Sequence, residues 1–424
     1  ALRDSFGWGP GDYWFPNIRS LGGAAIMLAL VLYPYVFLLA RAAFAGRSRS
    51  QFLAARSLGL TPTRAFLRVA LPGARPAIAG GVALVLMETL ADFGVAEYFA
   101  VPTFSTGIFR SWLAMGDKAG AMTLAAVMLL FVIALVLLEA ATRRGGVESE
   151  DAGRTDETLL PIGPSGRIFA MLACTLPVIF GFVVPVATLG TLALAAGDGQ
   201  GAATLWAYAK DSLVLAGSVA IVATVIAVVL SLAQRRSKGL VTAPAIRVAT
   251  LGYALPGALL AVGLLAPLGQ ADQALTRFAR DTFGYEGGLL LTGTSVVLVY
   301  ALTVRFLTVA FNSTSGGFAK VSPAMDAAAR SLGAGPARLF AKVQFPLVRS
   351  SLVVAGLLVF IDTLRELPAT LILRPFNLET LATRVYRLAS DERLAEAATA
   401  SLLIVLAGLL PVILLTRTRT VSDR

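Results

Sequence analysis

Four carboxylates occupy positions where an apolar chain has little room for charge. Glu88 and Asp92 stand four residues apart in one apolar stretch, and Asp362 and Glu366 stand four apart in another, 274 positions later. That spacing puts each pair on one face of a helix. Ionisable groups inside apolar stretches are costly and mark substrate paths, relays or paired charges. Four oxygen-bearing side chains in two matched pairs could line a route for a hard cation, which prefers oxygen ligands. A conduit must also release what it accepts, so no tightly bound metal is expected. The alternative is that each acid pairs with a neighbour such as Arg365 or caps the outer end of its stretch. Pro256 and Gly257, within LGYALPGALLAVGLL, pose a similar choice. They either break a helix beside such a route or form a tolerated kink.

The elements that must hold these residues are read from composition. Hydrophobic residues make up 57% of the 424-residue chain and charged residues only 14%, with a mean hydropathy of +0.77. Soluble domains carry about 25% charged residues. Apolar runs of about 20 residues, the length that crosses a bilayer, fall near 20–43, 76–99, 119–141, 168–192, 211–233, 246–268, 289–311, 350–373 and 395–416. The chain is therefore expected to be all-α, a polytopic helical membrane protein with nine spans. A single signal sequence cannot account for that many runs.

The net charge of +11 is concentrated in a few loops, so it reads as membrane topology and not as nucleic-acid binding. The loop from Arg41 to Arg75 holds seven arginines and no acid. The loop 234–247 holds Arg235, Arg236, Lys238 and Arg247. A third loop holds Lys320, Arg330, Arg338, Lys342 and Arg349 against Asp326, and the tail ends RTRTVSDR. Alternating spans put these segments on one side, the cytoplasm, and Ala1 on the other. Histidine is absent, which excludes imidazole ligands and His-dependent triads. The one cysteine, Cys174, cannot form an internal disulfide and reads as a small buried hydrophobe. No catalytic residue, cofactor site or phosphate-binding GxxxxGK[ST] motif is found, so the chain is not expected to be an enzyme.

The hexapeptide AARSLG occurs at Ala54 to Gly59 and again at Ala328 to Gly333. Extended to QFLAARSLGLTPTRAFLRVALPGARP and MDAAARSLGAGPARLFAKVQFPLVRS, the two copies share 12 of 26 positions. Ala54, Ala55, Arg56, Gly59 and Pro72 answer to Ala328, Ala329, Arg330, Gly333 and Pro346. Repeats of this kind mark paired membrane halves. Locally, Ala54 to Leu58 favours helix and Gly59 can end it in the left-handed region. Thr61-Pro62 then starts a second short helix, and Gly335-Pro336 does the same in the second copy. Pro72 and Pro346 are expected to stop that helix before the next span. Small alanines allow close approach by another protein, and arginines fix it by charge-assisted bonds.

This pattern, an Ala-Ala followed by Gly and then by Pro thirteen residues later, resembles the cytoplasmic coupling loop of binding-protein-dependent ABC importer permeases. Two copies in one chain look like the fused permeases of the ferric-iron importer type. So do FGVAEYFAVPTFSTGIFRSW and RELPATLILRPFNLETLATRVYRLASDERLAEAA. The resemblance implies two pseudo-symmetric halves of the MetI-like type I importer fold in the bacterial plasma (inner) membrane. It implies residues 1–144 as part of a first half with its coupling loop at 45–74. Residues 145–166 would be a cytoplasmic linker, and 167–424 a second half with its loop at 312–349. With six spans in the second half and three in the first, the resemblance implies twelve in all, and about 106 residues before Ala1. The opening ALRDSFGWGPGDYWFPN reads as an interfacial loop of a fragment.

Implied partners are two copies of a cytoplasmic ATP-binding subunit at the coupling loops and an external, periplasmic solute-binding protein. The family usually has Glu at the first motif position, where this chain has Leu53 and Ala327, with Asp326 one residue earlier. Two other readings stay open: the same machinery carrying thiamine or another small solute, and a secondary transporter driven by an ion gradient.

Overall fold

The protein is described by a computed structural model covering residues 7, 17–45, 49–143, 163–196, 199, 201–236, 239, 241–284 and 286–422. The expectations for residues 1–6, 8–16 and most of 145–166 lie outside these residues. Helices account for all the regular structure among them. The first group is α1 (Leu21–Ala45), α2 (Arg49–Ser57), α3 (Pro62–Ala65), α4 (Leu71–Ala91), α5 (Gly94–Tyr98), α6 (Phe104–Phe109) and α7 (Lys118–Arg143). Then come α8 (Pro164–Val178), α9 (Val184–Ala196), α10 (Ala202–Arg236), α11 (Thr242–Ala249) and α12 (Gly257–Phe283). The last group is α13 (Ser295–Ala319), α14 (Pro323–Ser331), α15 (Pro336–Leu339), α16 (Phe345–Leu364), α17 (Pro368–Leu373), α18 (Leu381–Ser390) and α19 (Leu394–Ser422).

Eight helical stretches among the described residues are long and apolar enough to cross a membrane, and the apolar part of α19, Leu394–Leu409, falls where the ninth was expected. Several bounds differ from the hydropathy reading. The second stretch runs Pro62–Ala91 and the eighth Pro336–Leu364, not 76–99 and 350–373. Pro72 and Pro346 do not stop a helix. A π-helical turn precedes each, at Phe66–Ala70 and Phe340–Gln344, and the helix continues through it. The wider turn moves the carbonyls that the proline ring would otherwise strike. The sixth stretch starts at Gly257 and extends to Phe283, because α11 and a 3₁₀ turn at Gly252–Ala254 occupy its expected beginning. Cys174 is exposed. The stretch Pro164–Ala195 lies at the edge of the bundle with none of its apolar window buried, so its side chains face the surroundings.

The sequence repeat is a structural repeat. At an offset of 274, α1 overlays α13, α2 overlays α14 and α3 overlays α15 end to end. The two π-helical turns also overlay end to end, and α4 with α16 and α5 with α17 share their starting positions. The register then slips by three, so that the capping box of Thr103 and Thr106 answers to that of Thr380 and Thr383.

The main core joins α10, α13, α16 and α12. Ala216, Ala220, Ala223 and Ala227 make a small-residue stripe on α10, and Leu298, Ala301, Leu302, Ala355 and Val359 pack in the same bundle, all buried. Lipid is as apolar as leucine, so close van der Waals contact along such stripes is what holds membrane helices together. A second cluster joins the two repeats: Ile108 of α6 and Ala125 and Met128 of α7 meet Ala258, Leu259 and Val262 of α12.

Gly317 on α13 shows how close this packing is. A Cβ there would lie 2.5 Å from Ser351 Cβ, whereas one on Gly316 would meet nothing within 4 Å. Gly317→Val is expected to destabilise the folded protein by about 1–3 kcal/mol through overpacking, and Gly316→Val to leave it near wild type. Thermal unfolding of the two purified variants in detergent checks this.

Candidate functional site

Two sites can be built from the residues upward, one at each end of α4 and α16. The first is the pair of AARSLG turns. Helix α2 ends at Gly59, whose φ of 88° is left-handed, and α14 ends at Gly333, with φ 78°. In each copy two backbone bonds close the end: Gly59 N–H to Arg56 O and Leu60 N–H to Ala55 O, then Gly333 N–H to Arg330 O and Ala334 N–H to Ala329 O. This is a Schellman motif, which only glycine adopts without strain. Thr61 caps α3 by accepting the Arg64 N–H, and Gly335 occupies the same place in the second copy without a side-chain cap. Ala55 is buried, Ala54 and Ala328 are exposed, and Ala329 is half-buried. The residue before each glycine stands out from the turn, Leu58 85% exposed and Leu332 86%.

The second turn has a tie that sequence reasoning missed. Arg235, at the end of α10, donates from Nε to Asp326 Oδ2 at 2.7 Å, from Nη1 to Phe318 O at 2.9 Å and from Nη2 to Val321 O at 2.7 Å. Gln344 Nε2 donates to the other Asp326 oxygen at 3.1 Å. Burial opposes ionisation of Asp326, but the bonds from Arg235 and Gln344 outweigh it and hold the carboxyl below the usual carboxylate range. The only sequence signal was an isolated acid in a basic loop.

The second site contains the four membrane acids. Each has a protein partner. Glu88 Oε1 accepts from the Tyr253 hydroxyl at 2.6 Å. Asp92 is the residue that ends α4, and its Oδ2 accepts the Ala96 N–H of α5 at 3.0 Å. Asp362 Oδ1 accepts from Arg365 Nη2 at 2.8 Å. Glu366 is buried, and its Oε1 accepts the Ala369 N–H of α17 at 3.2 Å and faces Arg305 Nη1 at 3.4 Å. Asp92 and Glu366 thus hold the same break in the two repeats, where a long helix stops and a short one starts. The structure therefore gives each acid its own partner and adds Tyr253, Arg305 and Arg365 to the residues that hold them.

Pro256 lies at the same place. It stands immediately before α12, in extended backbone, and the helix starts at Gly257. A Cβ on Gly257 would lie 2.2 Å from Glu366 Oε1 and 2.4 Å from Arg305 Nη1. Only glycine lets the ion pair reach the positive end of α12. Among the described residues, no three carboxylate or thiol groups converge as a metal cage.

At the opposite end from the AARSLG turns, a cavity of about 420 Å³ opens between α5 and α18, lined by Arg19, Glu97, Tyr98, Tyr386 and Glu392 among others. Arg19 pairs with Glu392 at 3.3 Å, and Arg110 with Glu97 at 3.0 Å.

Residues 13–144 match a family described as the inner membrane component of binding-protein-dependent transport systems. The chain is a multi-pass inner-membrane transport component and carries the resemblance beyond that segment. It is 25% identical over 413 residues to the Fe(3+)-transport system permease protein FbpB 2 of Haemophilus influenzae, a match covering 94% of this chain and 77% of that relative. It is 33% identical over 125 residues to a probable molybdenum ABC transporter permease protein of Haloferax volcanii, covering 29% of this chain and 43% of that relative.

Two outcomes follow from this geometry. Arg305→Met strands the buried Glu366 carboxylate and is expected to destabilise the transport component by roughly 3–5 kcal/mol. Adding Glu366→Met recovers most of that loss, because a buried pair replaced whole is often near neutral. A double-mutant cycle by thermal unfolding reads both. The Asp326 tie sets a pH limit. Its folded value is depressed, so its contribution is fully present above the unfolded value near pH 4, and is lost as pH falls through the folded one. Protection of residues 323–349 against pepsin is expected to hold down to about pH 4 and to fall below it, and Asp326→Asn to lack the protection at every pH.

Proposed function

We propose that this transport component is the permease of an ATP-driven importer, taking ferric iron from an external solute-binding protein. The observation that carries the reading is the pair of exposed turns repeated end to end at an offset of 274. A machine with two motor subunits needs two docking points; a carrier driven by an ion gradient needs none. The likeness to an Fe(3+)-transport permease over 94% of this chain supports the cargo.

On this reading Ala54, Ala55, Arg56, Gly59 and Pro72, with Ala328, Ala329, Arg330, Gly333 and Pro346, form the two coupling loops. Each binds one copy of a cytoplasmic ATP-binding subunit. Residues 1–144 and 167–424 supply the two halves, joined by a cytoplasmic linker at 145–166. Glu88, Asp92, Asp362 and Glu366 border the path between them, beside the helix start at Pro256. Helix α4 is continuous, so Glu88 stands sixteen residues, about 24 Å, beyond Pro72. ATP-driven closure of the motors pushes α2 and α14, and the motion reaches the acids through α4 and α16. Opening then separates Glu88 from Tyr253 and Arg19 from Glu392. Carboxylate and phenol oxygens suit a hard trivalent cation. Their existing partners keep any hold on it weak enough for release.

Uptake into proteoliposomes holding the permease, its ATP-binding subunits and its binding protein tests this. Radiolabelled ferric iron is expected to accumulate with ATP, and Gly59→Asp with Gly333→Asp to abolish accumulation. Uptake of molybdate or thiamine in place of iron would reassign the cargo. Iron uptake that survives the double substitution would sink the coupling assignment.

A further inference from the structure

The two turns present the same chemistry to the cytoplasm, and that chemistry contains no carboxylate. At the repeat offset of 274, Arg56 answers to Arg330, Arg64 to Arg338, Arg68 to Lys342 and Arg75 to Arg349, and all eight are exposed. Leu58 and Leu332 stand out beside the left-handed glycines with 85% and 86% of their surface free. The segment 41–75 has no acid at all, and the segment 320–349 has one, Asp326. That acid is 5% exposed, and both its oxygens are taken by Arg235 and Gln344. In the first copy its place is held by Phe52, and that of Gln344 by Ala70. The one carboxylate that could have met a partner's cation is turned inward.

We infer that each turn docks in an apolar pocket rimmed by carboxylates on the ATP-binding subunit. Leu58 or Leu332 enters the pocket, and Arg56 with Arg64, or Arg330 with Arg338, pairs with the rim. The inference rests on the proposed importer reading and adds the chemistry of the partner's surface. A leucine on a turn fixed by a Schellman motif loses little conformational freedom on docking, so its burial counts nearly in full. Arginine suits the rim, because its fork binds a carboxylate through two bonds. In the first turn Arg56 also donates to Leu60 O at 3.1 Å, which holds its guanidinium against the turn. The four cations divide by place. Arg56 and Arg64 flank the tip, while Arg75 lies on α4, eleven residues or about 16 Å past Arg64 along the helix. The tip cations are placed for a protein, the remote ones for anionic lipid headgroups.

The test uses the full chain in nanodiscs with the purified cognate ATP-binding subunit. The charge-reversed variant carries Arg56→Glu, Arg64→Glu, Arg330→Glu and Arg338→Glu, and the remote variant carries Arg68→Glu, Arg75→Glu, Lys342→Glu and Arg349→Glu. In discs of neutral phosphatidylcholine, binding is expected to weaken at least about tenfold with the tip variant. Raising salt from about 50 to 500 mM should weaken wild-type binding in the same way. The remote variant should bind like wild type. Leu58→Asp with Leu332→Asp should abolish binding. Conservative Arg56→Lys and Arg330→Lys variants should bind, and a zero-length carbodiimide should link those lysines to Asp or Glu of the ATP-binding subunit, identified by mass spectrometry. Binding unchanged by the tip variant and by salt would overturn the inference while leaving the importer reading intact. Binding that needs anionic phosphatidylglycerol and is lost only in the remote variant would assign the cations to lipid and overturn it as well. A wild-type chain that fails to bind the ATP-binding subunit at all would overturn both.

Discussion

A hydrocarbon core offers a backbone no hydrogen-bond partners, and the architecture of this chain follows from that one constraint. Inside the bilayer the chain stays helical because only a helix satisfies its own N–H and C=O groups. Wherever the helix must stop at depth, something else has to take the freed groups. Asp92 takes the Ala96 N–H after α4, and Glu366 takes the Ala369 N–H after α16. The same two breaks therefore explain why an apolar chain keeps carboxylates there. Once a charge is present it needs a partner, and Arg305 and the glycine at 257 supply the partner and the room. The polar groups at the two breaks thus grow out of backbone satisfaction.

The repeat is faithful in backbone and less so in side chains. Helix ends, π-helical turns and left-handed glycines coincide at the offset of 274. The tie between Arg235 and Asp326 exists in one copy only, since Phe52 and Ala70 occupy the corresponding places. The second turn is thereby fastened to α10, the helix at the centre of the main core, through three bonds from Arg235, and Gln344 holds the other Asp326 oxygen. Shape is duplicated while anchoring is not, and the outward faces remain alike in charge.

Much of this was legible in the residues. The rough number and place of the apolar helices and the twin turns ended by Gly59 and Gly333 follow from local rules, whereas Asp92 and Glu366 lie just past the ends of α4 and α16 and so do not share a helix face with Glu88 and Asp362 as their spacing suggested. Span length, glycine in the left-handed region and side-chain spacing on a helix are set by a few neighbouring residues. Pro72 and Pro346 misled for an instructive reason: proline is a strong breaker locally, but the packing of a long helix recovers more than a π-helical turn costs. The start of the sixth span was misplaced because apolar residues on either side of Arg247 run on through α11 and the 3₁₀ turn, and hydropathy does not register Pro256 as a helix start.

Only the tertiary structure could decide which distant groups meet. Tyr253 and Glu88 lie 165 positions apart, Arg305 and Glu366 61, and Arg235 and Asp326 91. No local propensity encodes such pairings. They depend on how α4, α12, α13 and α16 cross, which is set by small residues packing helix on helix across the whole bundle. The sequence by itself determined a helical membrane protein with two matched turns and two matched acid pairs. The packing decided which partner each acid meets and that Asp326 faces inward, because burial and charge pairing are properties of the assembled bundle and not of any single segment.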